Sequence, residues 1–298
     1  MVRKSFHGLE ADEYRHPFDR KAFTALEKTP GLSLLLKKVN EYGIDRLLQI
    51  SARGNNVLVT PYNFPKLHDA LEEACRILDI FPQPRLYLTR GTGSIANFAI
   101  GVENPFIGIN LEAMEWLTFE ELLFVFGHQL SRIQGRYLPY QQLVYVMPFL
   151  KFVISSATFG LGGMAANGVE VALCNWFIMT NFTADRAGLL ACQNFDAAIR
   201  AIMKIAVLPG EYLRPEVVHE FCRQAREFNL EEFGRLDQIT KIFSFMEIQQ
   251  PWGVMRASEL LKWVDNGAYD YWINAIDHSD PYSTFQQIND GQSYLNPS

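Results

Sequence analysis

Three residues that could take part in chemistry, His128, Gln129 and Arg132, lie together inside an otherwise apolar stretch. In an α-helix, positions four residues apart lie one turn apart on the same face, so His128 and Arg132 would point the same way with Gln129 beside them. This is the spacing of the H-E-x-x-H motif, in which two histidines hold zinc and the glutamate activates water. The segment here reads His-Gln-Leu-Ser-Arg.

These residue types are unsuited to metal-dependent hydrolysis. A hydrolytic zinc site needs three protein ligands, an open position for water and a base that takes the water proton. Gln129 cannot take that proton, and the guanidinium of Arg132 is charged and has no lone pair to donate to a metal. Considered alone, His128 is therefore predicted to be a hydrogen-bonded core histidine. The sequence contains no second H-x-x-x-H pattern.

The stretch around His128 is predicted to be a buried helix, because it is mostly apolar. Thr118 can cap its first turn, and Glu121, three residues later, completes a capping box. Residues 66–79 have apolar side chains at helical spacing and are followed by Pro82, which predicts a second helix there. Further helices are predicted over residues 214–228 and 230–247.

The predicted strands are few and short. Leu48–Ile50 and Val57–Val59 flank Gly54–Asn56 and are interpreted as a hairpin. A few strands set among many helices predict a mainly helical α+β fold, with a small sheet packed beside the motif helix. The other predicted strands are Arg85–Thr89, Asn97–Val102 and Phe106–Asn110.

A glycine-rich segment at residues 91–96 matches the G-x-G-x-x-A pattern of a phosphate-binding turn. A dinucleotide site would require a helix to begin at once, so that its N-terminus faces the phosphates. The residues that follow alternate as in a strand. The segment is therefore interpreted as a glycine turn between two strands.

Composition and charge restrict the class of protein. The 298-residue chain has a net charge of -6 and no basic clusters, so no nucleic-acid partner is expected. The four cysteines form no C-x-x-C pair, and Met1–Leu9 lacks the apolar core of a secretory signal, so a cytoplasmic location is expected.

Residues 142–184 are almost uncharged, with only Lys151 and Glu170. Three interpretations stay open. The segment can form buried helices, lie on a membrane surface, or cross a membrane, although its second half is polar for a span. An exposed apolar face here would also suit partner docking. One expectation is therefore a cytoplasmic protein that is peripheral to a membrane and contacts it through residues 142–184.

Several segments, in a consistent order, resemble the M48 family of zinc metallopeptidases. Phe119–Gly135 is similar to the sequence around that family's H-E-L-[GS]-H helix. Asn181–Gly188 is similar to its E-[FY]-x-A-D-R-x-G run, and Gln250–Trp252 followed by Arg256–Leu260 is similar to its His-Pro segment and the next helix. Several motifs in the right order are far more specific than one.

The resemblance implies roles for individual residues. His128, Arg132 and Asn181 stand at the positions of the family's three zinc ligands, and Gln129 stands at the position of the general base. Gln250 stands where the family usually has a histidine near the site. With only His128 retained, no zinc cofactor is expected, although the family binds zinc, and Gln129 is predicted to be non-functional in catalysis.

A buried Arg132 requires a partner, because an unpaired buried charge costs roughly 3 kcal/mol or more. We expect Arg132 to replace the metal as the local positive charge. Asp185 lies four residues after Asn181 and can share its helix face. Asp185 is therefore the expected ion-pair partner, with His128 and Asn181 completing the hydrogen bonds.

The sequence predicts a helical and hairpin lead-in at 1–65, a peptidase-like domain at 66–276 and a flexible tail at 277–298. The predicted function is that of an inactive pseudo-protease that binds a peptide or protein partner and regulates or shields it. The peptide would add to the sheet edge near Asn97–Asn110. Two alternatives are an active zinc metalloendopeptidase with an atypical site and a membrane-associated scaffold.

Overall fold

The computed structural model describes residues 3–157, 161–228 and 252–274. Helices dominate this part of the chain, and four strands form one sheet. The helices are α1 (Pro17–Glu27), α2 (Leu32–Glu41), α3 (Ile44–Asn55), α4 (Pro65–Leu78), α5 (Leu111–Trp116), α6 (Phe119–Gln134), α7 (Leu138–Ala157), α8 (Leu161–Cys192), α9 (Phe195–Ala206), α10 (Pro215–Glu227), α11 (Gly253–Asp265) and α12 (Ala268–Asn274).

The sheet has the strand order β1-β2-β4-β3, so β3 is at one edge. β2 and β4 are parallel, while β1 and β3 run antiparallel to their neighbours. Helices α4 and α6 share a hydrophobic core with one face, and Ala52 of α3 covers the other. This is the predicted mainly helical α+β fold with a small sheet beside the motif helix. The strands are β1 (Val57–Leu58), β2 (Arg85–Thr89), β3 (Asn97–Ile100) and β4 (Phe106–Asn110).

Helix α6 is central, and its closest helical neighbour is α8. Both helices carry a glycine at the crossing. A Cβ atom added at Gly127 would lie 2.6 Å from the Cβ of Ala191, and one added at Gly188 would lie 2.8 Å from the carbonyl oxygen of Phe124. The two backbones therefore approach as closely as they do because neither glycine has a side chain.

The predicted hairpin at Leu48–Ile50 is wrong, since these residues belong to α3. Ile44, Leu48 and Ala52 recur at a spacing of four, which places them on the inner face of a helix, and Ile50 is left 59% exposed. A run of only three apolar residues does not distinguish this pattern from a strand. Val57–Leu58 forms a strand, but it pairs with β2.

The glycine segment at 91–96 is a turn that leads directly into β3, as predicted. Its interior is filled by a carboxylate of the chain itself. The backbone N–H of Gly93 donates to Glu112 Oε1, and the Asn110 side-chain amide donates to Glu112 Oε2 at 2.7 Å and to the Ser94 carbonyl at 2.7 Å. An internal anion thus occupies the position that a phosphate would take.

The other predicted elements divide into those that the structure tests and those that it does not. The helices at 66–79 and 214–228 are confirmed as α4 and α10. The helix at 230–247 and the tail at 277–298 lie outside the described residues. Within the described ranges, no helix is both long enough and apolar enough to cross a membrane.

The close crossing of α6 and α8 predicts unequal effects of alanine at two glycines of α8. Gly188→Ala should lower the free energy of unfolding by roughly 1–3 kcal/mol, because its methyl group would overlap α6. Gly168→Ala, where no atom lies within 4 Å of the added Cβ, should leave stability unchanged or raise it by up to about 1 kcal/mol. Urea unfolding followed by circular dichroism measures both. Equal effects would contradict the close crossing.

Candidate functional site

The motif helix begins as predicted and is buried for three turns. Thr118 Oγ1 accepts the N–H of Glu121 at 3.3 Å, and the Glu121 carboxylate accepts the N–H of Thr118 at 2.8 Å, which completes the capping box. Every residue from Glu121 to Arg132 is buried. The polar side chains on this helix must therefore be satisfied inside the protein.

The Arg132 guanidinium is 4% exposed and lies between α6 and α8. Its Nη2 donates to Asn181 Oδ1 at 2.8 Å and lies 3.3 Å from His128 Nε2. Its Nη1 lies 3.3 Å from Thr180 Oγ1 and 3.5 Å from Gln141 Oε1. Burial lowers the pKa of Arg132. All four partners are uncharged side chains when His128 is neutral.

The expected ion pair between Arg132 and Asp185 is wrong. Asp185 instead accepts two hydrogen bonds from Arg256 of α11, at 2.8 Å to Nε and 2.5 Å to Nη2, and lies 2.9 Å from His128 Nδ1. The forked guanidinium of Arg256 matches both carboxylate oxygens, which is the strongest geometry available to an arginine–carboxylate pair. Burial alone raises the pKa of Asp185, but Arg256 and then His128 outweigh it and hold the pKa at about 2.

Asp185 also sets the orientation of the His128 ring. Because Nδ1 faces the carboxylate, we assign the ring proton to Nδ1, which leaves the Nε2 lone pair directed at Arg132. Burial lowers the pKa of His128 to about 4, so the ring is neutral near pH 7. A carboxylate orients a metal-binding histidine in the same way, but here an arginine N–H stands at the free nitrogen.

Gln129 points from α6 toward the sheet. Its Nε2 donates to Oδ1 of Asn97, the first residue of the edge strand β3. Its Oε1 is buried and accepts no hydrogen bond within the described residues. A buried acceptor without a donor is uncommon and unfavourable, which indicates a position where a ligand or a water molecule can donate.

These side chains line one cavity of about 430 Å³. Strand β3 and the turn before it form one wall, and residues of α6, α7, α8, α9 and α11 form the others. The volume is in the range of about 300–1,000 Å³ that small-molecule sites occupy. Among the lining residues are Asn97, Phe98, Phe124, His128, Gln129, Arg132, Gln141, Phe177, Asn181, Trp252 and Arg256.

The arrangement does not fit a zinc ion. Of the three positions at which the family has ligands, Arg132 offers only N–H donors, and it donates to Asn181 Oδ1. A zinc ion would have to displace this cation from His128 Nε2, and it would gain only one imidazole and a neutral amide oxygen.

Elsewhere in the part of the chain that the structure describes, the one cluster of three potential ligand atoms is His68, Asp69 and Glu72 on α4. Asp69 and Glu72 are exposed and His68 is partly buried. Acidic clusters of this kind on a helix surface are common without a metal, and this one is remote in sequence from the motif helix. It offers no replacement for the zinc site.

The structure brings together most of the residues that were predicted to form the site, namely Asn97, His128, Gln129, Arg132, Asn181 and Asp185. Gln250 lies outside the described residues. The roles of Arg256, Gln141 and Thr180 were not predicted. The pairing of Asp185 with Arg256 could have been expected, because a buried carboxylate needs a cationic partner. Arg256 was a candidate, since it belongs to a segment that resembles the family.

Comparison with known proteins identifies the family. The family model described as "Peptidase family M48" matches residues 61–263, which is more than half of the chain. The chain therefore belongs to peptidase family M48. A relative from Arabidopsis thaliana, named "Plastoglobule-localized metallopeptidase 48, chloroplastic", is 27% identical over 284 residues, covering 95% of this chain and 80% of that protein. No solved structure matches the sequence significantly.

The Asp185–Arg256 pair predicts a large loss of stability when its acid is neutralised. Asp185→Asn should lower the free energy of unfolding by about 3–5 kcal/mol, because it leaves Arg256 buried without a counter-charge. The matched control is Asp265→Asn, which removes the acid of an exposed two-bond pair with Arg226. This change should cost less than about 1 kcal/mol. Chemical denaturation measures both, and similar losses would contradict the role given to Asp185.

Proposed function

We propose that the protein is a catalytically inactive member of family M48 that binds a peptide or protein partner and acts as a regulatory scaffold. The observation that supports this most directly is the position of Arg132. Its guanidinium contacts both of the other ligand positions, at 3.3 Å from His128 Nε2 and 2.8 Å from Asn181 Oδ1. A cation there repels a second cation and blocks the donor atoms at the same time.

The general base is also missing from the proposed site. Gln129 has no group that can take a proton from water near pH 7. Its amide is instead used in a hydrogen bond that joins α6 to Asn97 of the edge strand. A water molecule placed in the cavity would therefore meet neither a metal that lowers its pKa nor a carboxylate that accepts its proton.

The sheet edge offers a place for a peptide. Ala96 uses its carbonyl to pair with Asn110 of β4, so the alternation of an antiparallel strand directs the backbone groups of Asn97 and Ala99 to the outer edge. The Ala99 carbonyl accepts from Gln141 Nε2 at 3.2 Å. The outward groups of Asn97, at the rim of the cavity, are thus the ones that an added peptide strand would pair with.

Two competing functions stay open to test. The Arabidopsis thaliana relative is named a metallopeptidase, so an active enzyme with an atypical site is the first. A membrane-associated scaffold that uses residues 142–184 is the second. Attachment through that apolar segment would survive washing with high salt, since salt screens only charge-based attachment. A cytoplasmic location stays a prediction.

Metal content tests the proposed loss of the zinc site. Purified wild-type protein should contain no zinc above the buffer blank by elemental analysis. A variant with Gln129→Glu, Arg132→His and Asn181→Glu should bind one zinc per chain, because it regains two ligands beside His128, three in all, and loses the cation. The control is Gln129→Glu alone, which keeps Arg132 and should stay free of zinc. One zinc per wild-type chain, removable by a chelator together with peptidase activity, would overturn the proposal.

A further inference from the structure

The charges that line the cavity do not balance. It contains two buried guanidinium groups, Arg132 and Arg256, each 4% exposed. Asp185 is engaged by Arg256 through both of its oxygens. Within the described residues, Arg132 has no carboxylate oxygen within 4.0 Å. Protonation of His128 would add positive charge, so the excess does not depend on the state of that ring.

Asp19, another buried carboxylate of the same core, is near enough to attract Arg132 but has no oxygen within 4.0 Å of its guanidinium nitrogens. Its Oδ2 accepts hydrogen bonds from Tyr137 Oη at 2.6 Å and Thr183 Oγ1 at 2.7 Å, and Arg15 Nε lies 3.8 Å away. Asp19 does not line the cavity. Among the described residues that line the cavity there is thus no carboxylate, and Asp185 and Asp19 attract Arg132 only from a distance, without direct contact.

The contacts of Arg132 are ones that an anion can replace. Only the bond to Asn181 has the length of a good hydrogen bond, and the other three distances are 3.3 to 3.5 Å. A carboxylate brings a negative charge and can accept two parallel N–H bonds from a guanidinium, which a single neutral side-chain oxygen does not offer. A ligand carboxylate would therefore compete well for Nη1 of Arg132.

Gln129 supplies a second, independent indication of a ligand. Its side chain is 3% exposed, lines the same cavity and has a buried Oε1 without a donor. Gln129 and Arg132 are three residues apart on α6, so their side chains are neighbours on the helix surface, roughly 5–6 Å apart at Cβ. A ligand that satisfies both needs a carboxylate and an N–H donor a few ångströms apart.

We propose that the cavity binds the C-terminal residue of a peptide, with its carboxylate against Arg132 and its backbone N–H donating to Gln129 Oε1. A C-terminal peptide residue carries both groups, its backbone N–H and its carboxylate, on the same Cα. The rings of Phe98, Phe177 and Trp252 line the cavity and suit an apolar terminal side chain. This proposal rests on the proposed function, because zinc on His128 would exclude Arg132 from its present position.

The test compares free and blocked peptide ends. A pool of N-acetylated tripeptides, ending in each of the amino acids as free acids, is titrated into the full-length protein, and the same pool is titrated as C-terminal amides. Isothermal titration calorimetry measures the binding of each pool. The peptides that bind are then titrated singly, which gives their affinities. The free acids should bind about 10- to 100-fold more tightly than the amides, which is the range of a hydrogen bond to a charged group.

Three cavity variants test the contacts, and circular dichroism checks that each keeps the wild-type fold. Arg132→Gln should remove the preference for the free acid, whereas Arg132→Lys keeps the charge and should retain part of it. Gln129→Met, which has a similar shape but no acceptor oxygen, should weaken the acids and the amides by the same factor, since both keep the N–H.

The outcomes separate this proposal from the one before it. If acids and amides bind equally, the carboxylate site is overturned while peptide binding by the inactive protein stands. If an amidated peptide with an internal glutamate binds as tightly as the free acids, the site takes an acidic side chain, and the C-terminal assignment is overturned. The C-terminal assignment is also overturned if neither the free acids nor the amides bind. Zinc in the wild-type protein, measured beforehand, would instead remove the proposed function itself.

Discussion

The carboxylate of Asp185 is the interaction on which the site depends. It is buried on α8, and it holds Arg256 of α11 and His128 of α6 at the same time. Three helices far apart in the sequence thus meet at one anion. Because two N–H groups of the charged Arg256 guanidinium and a ring nitrogen of His128 converge on it, Asp185 stays ionised despite its burial. The carboxylate in turn sets the tautomer and direction of His128. The orientation of that histidine toward Arg132 follows from this one carboxylate.

Arg132 stands at a position where the M48 family has a metal ligand, and it forms hydrogen bonds with its surroundings. A guanidinium carries positive charge and presents several N–H donors, so His128 and Asn181 keep hydrogen-bonded partners. The surrounding helices retain the features that the close crossing requires, with Gly127 and Gly188 still at the contact. In the inactive protein that we propose, a hydrogen-bond donor takes the place of a Lewis acid. The same position that would have polarised a carbonyl group is then suited to holding an anion.

Sequence predictions succeeded where the interacting residues are close together in the sequence and failed where they are far apart or where the pattern is too short. The capping box of Thr118 and Glu121 depends on residues three apart, so the start of α6 was predictable. The strand predicted at Leu48–Ile50 failed because three apolar residues do not show a period, and only the longer series through Ala52 reveals the helix. The partner of Asp185 was missed because Arg256 is 71 residues away and reaches it from another helix. Local sequence patterns do not show which of the two arginines, Arg132 or Arg256, pairs with Asp185.

Gln141 gives the site a connection beyond its own walls. This single side chain of α7 donates to the carbonyl of Ala99 on the edge strand, lies within 3.5 Å of Arg132, and contacts the hydroxyl of Tyr145 one turn further along α7. A displacement of α7 would therefore alter the strand edge and the guanidinium together. Thermodynamic linkage makes such an effect reciprocal. Binding of a ligand in the cavity and binding of a partner to α7 would then each change the affinity of the other. Gln141 is the side chain that both equilibria share.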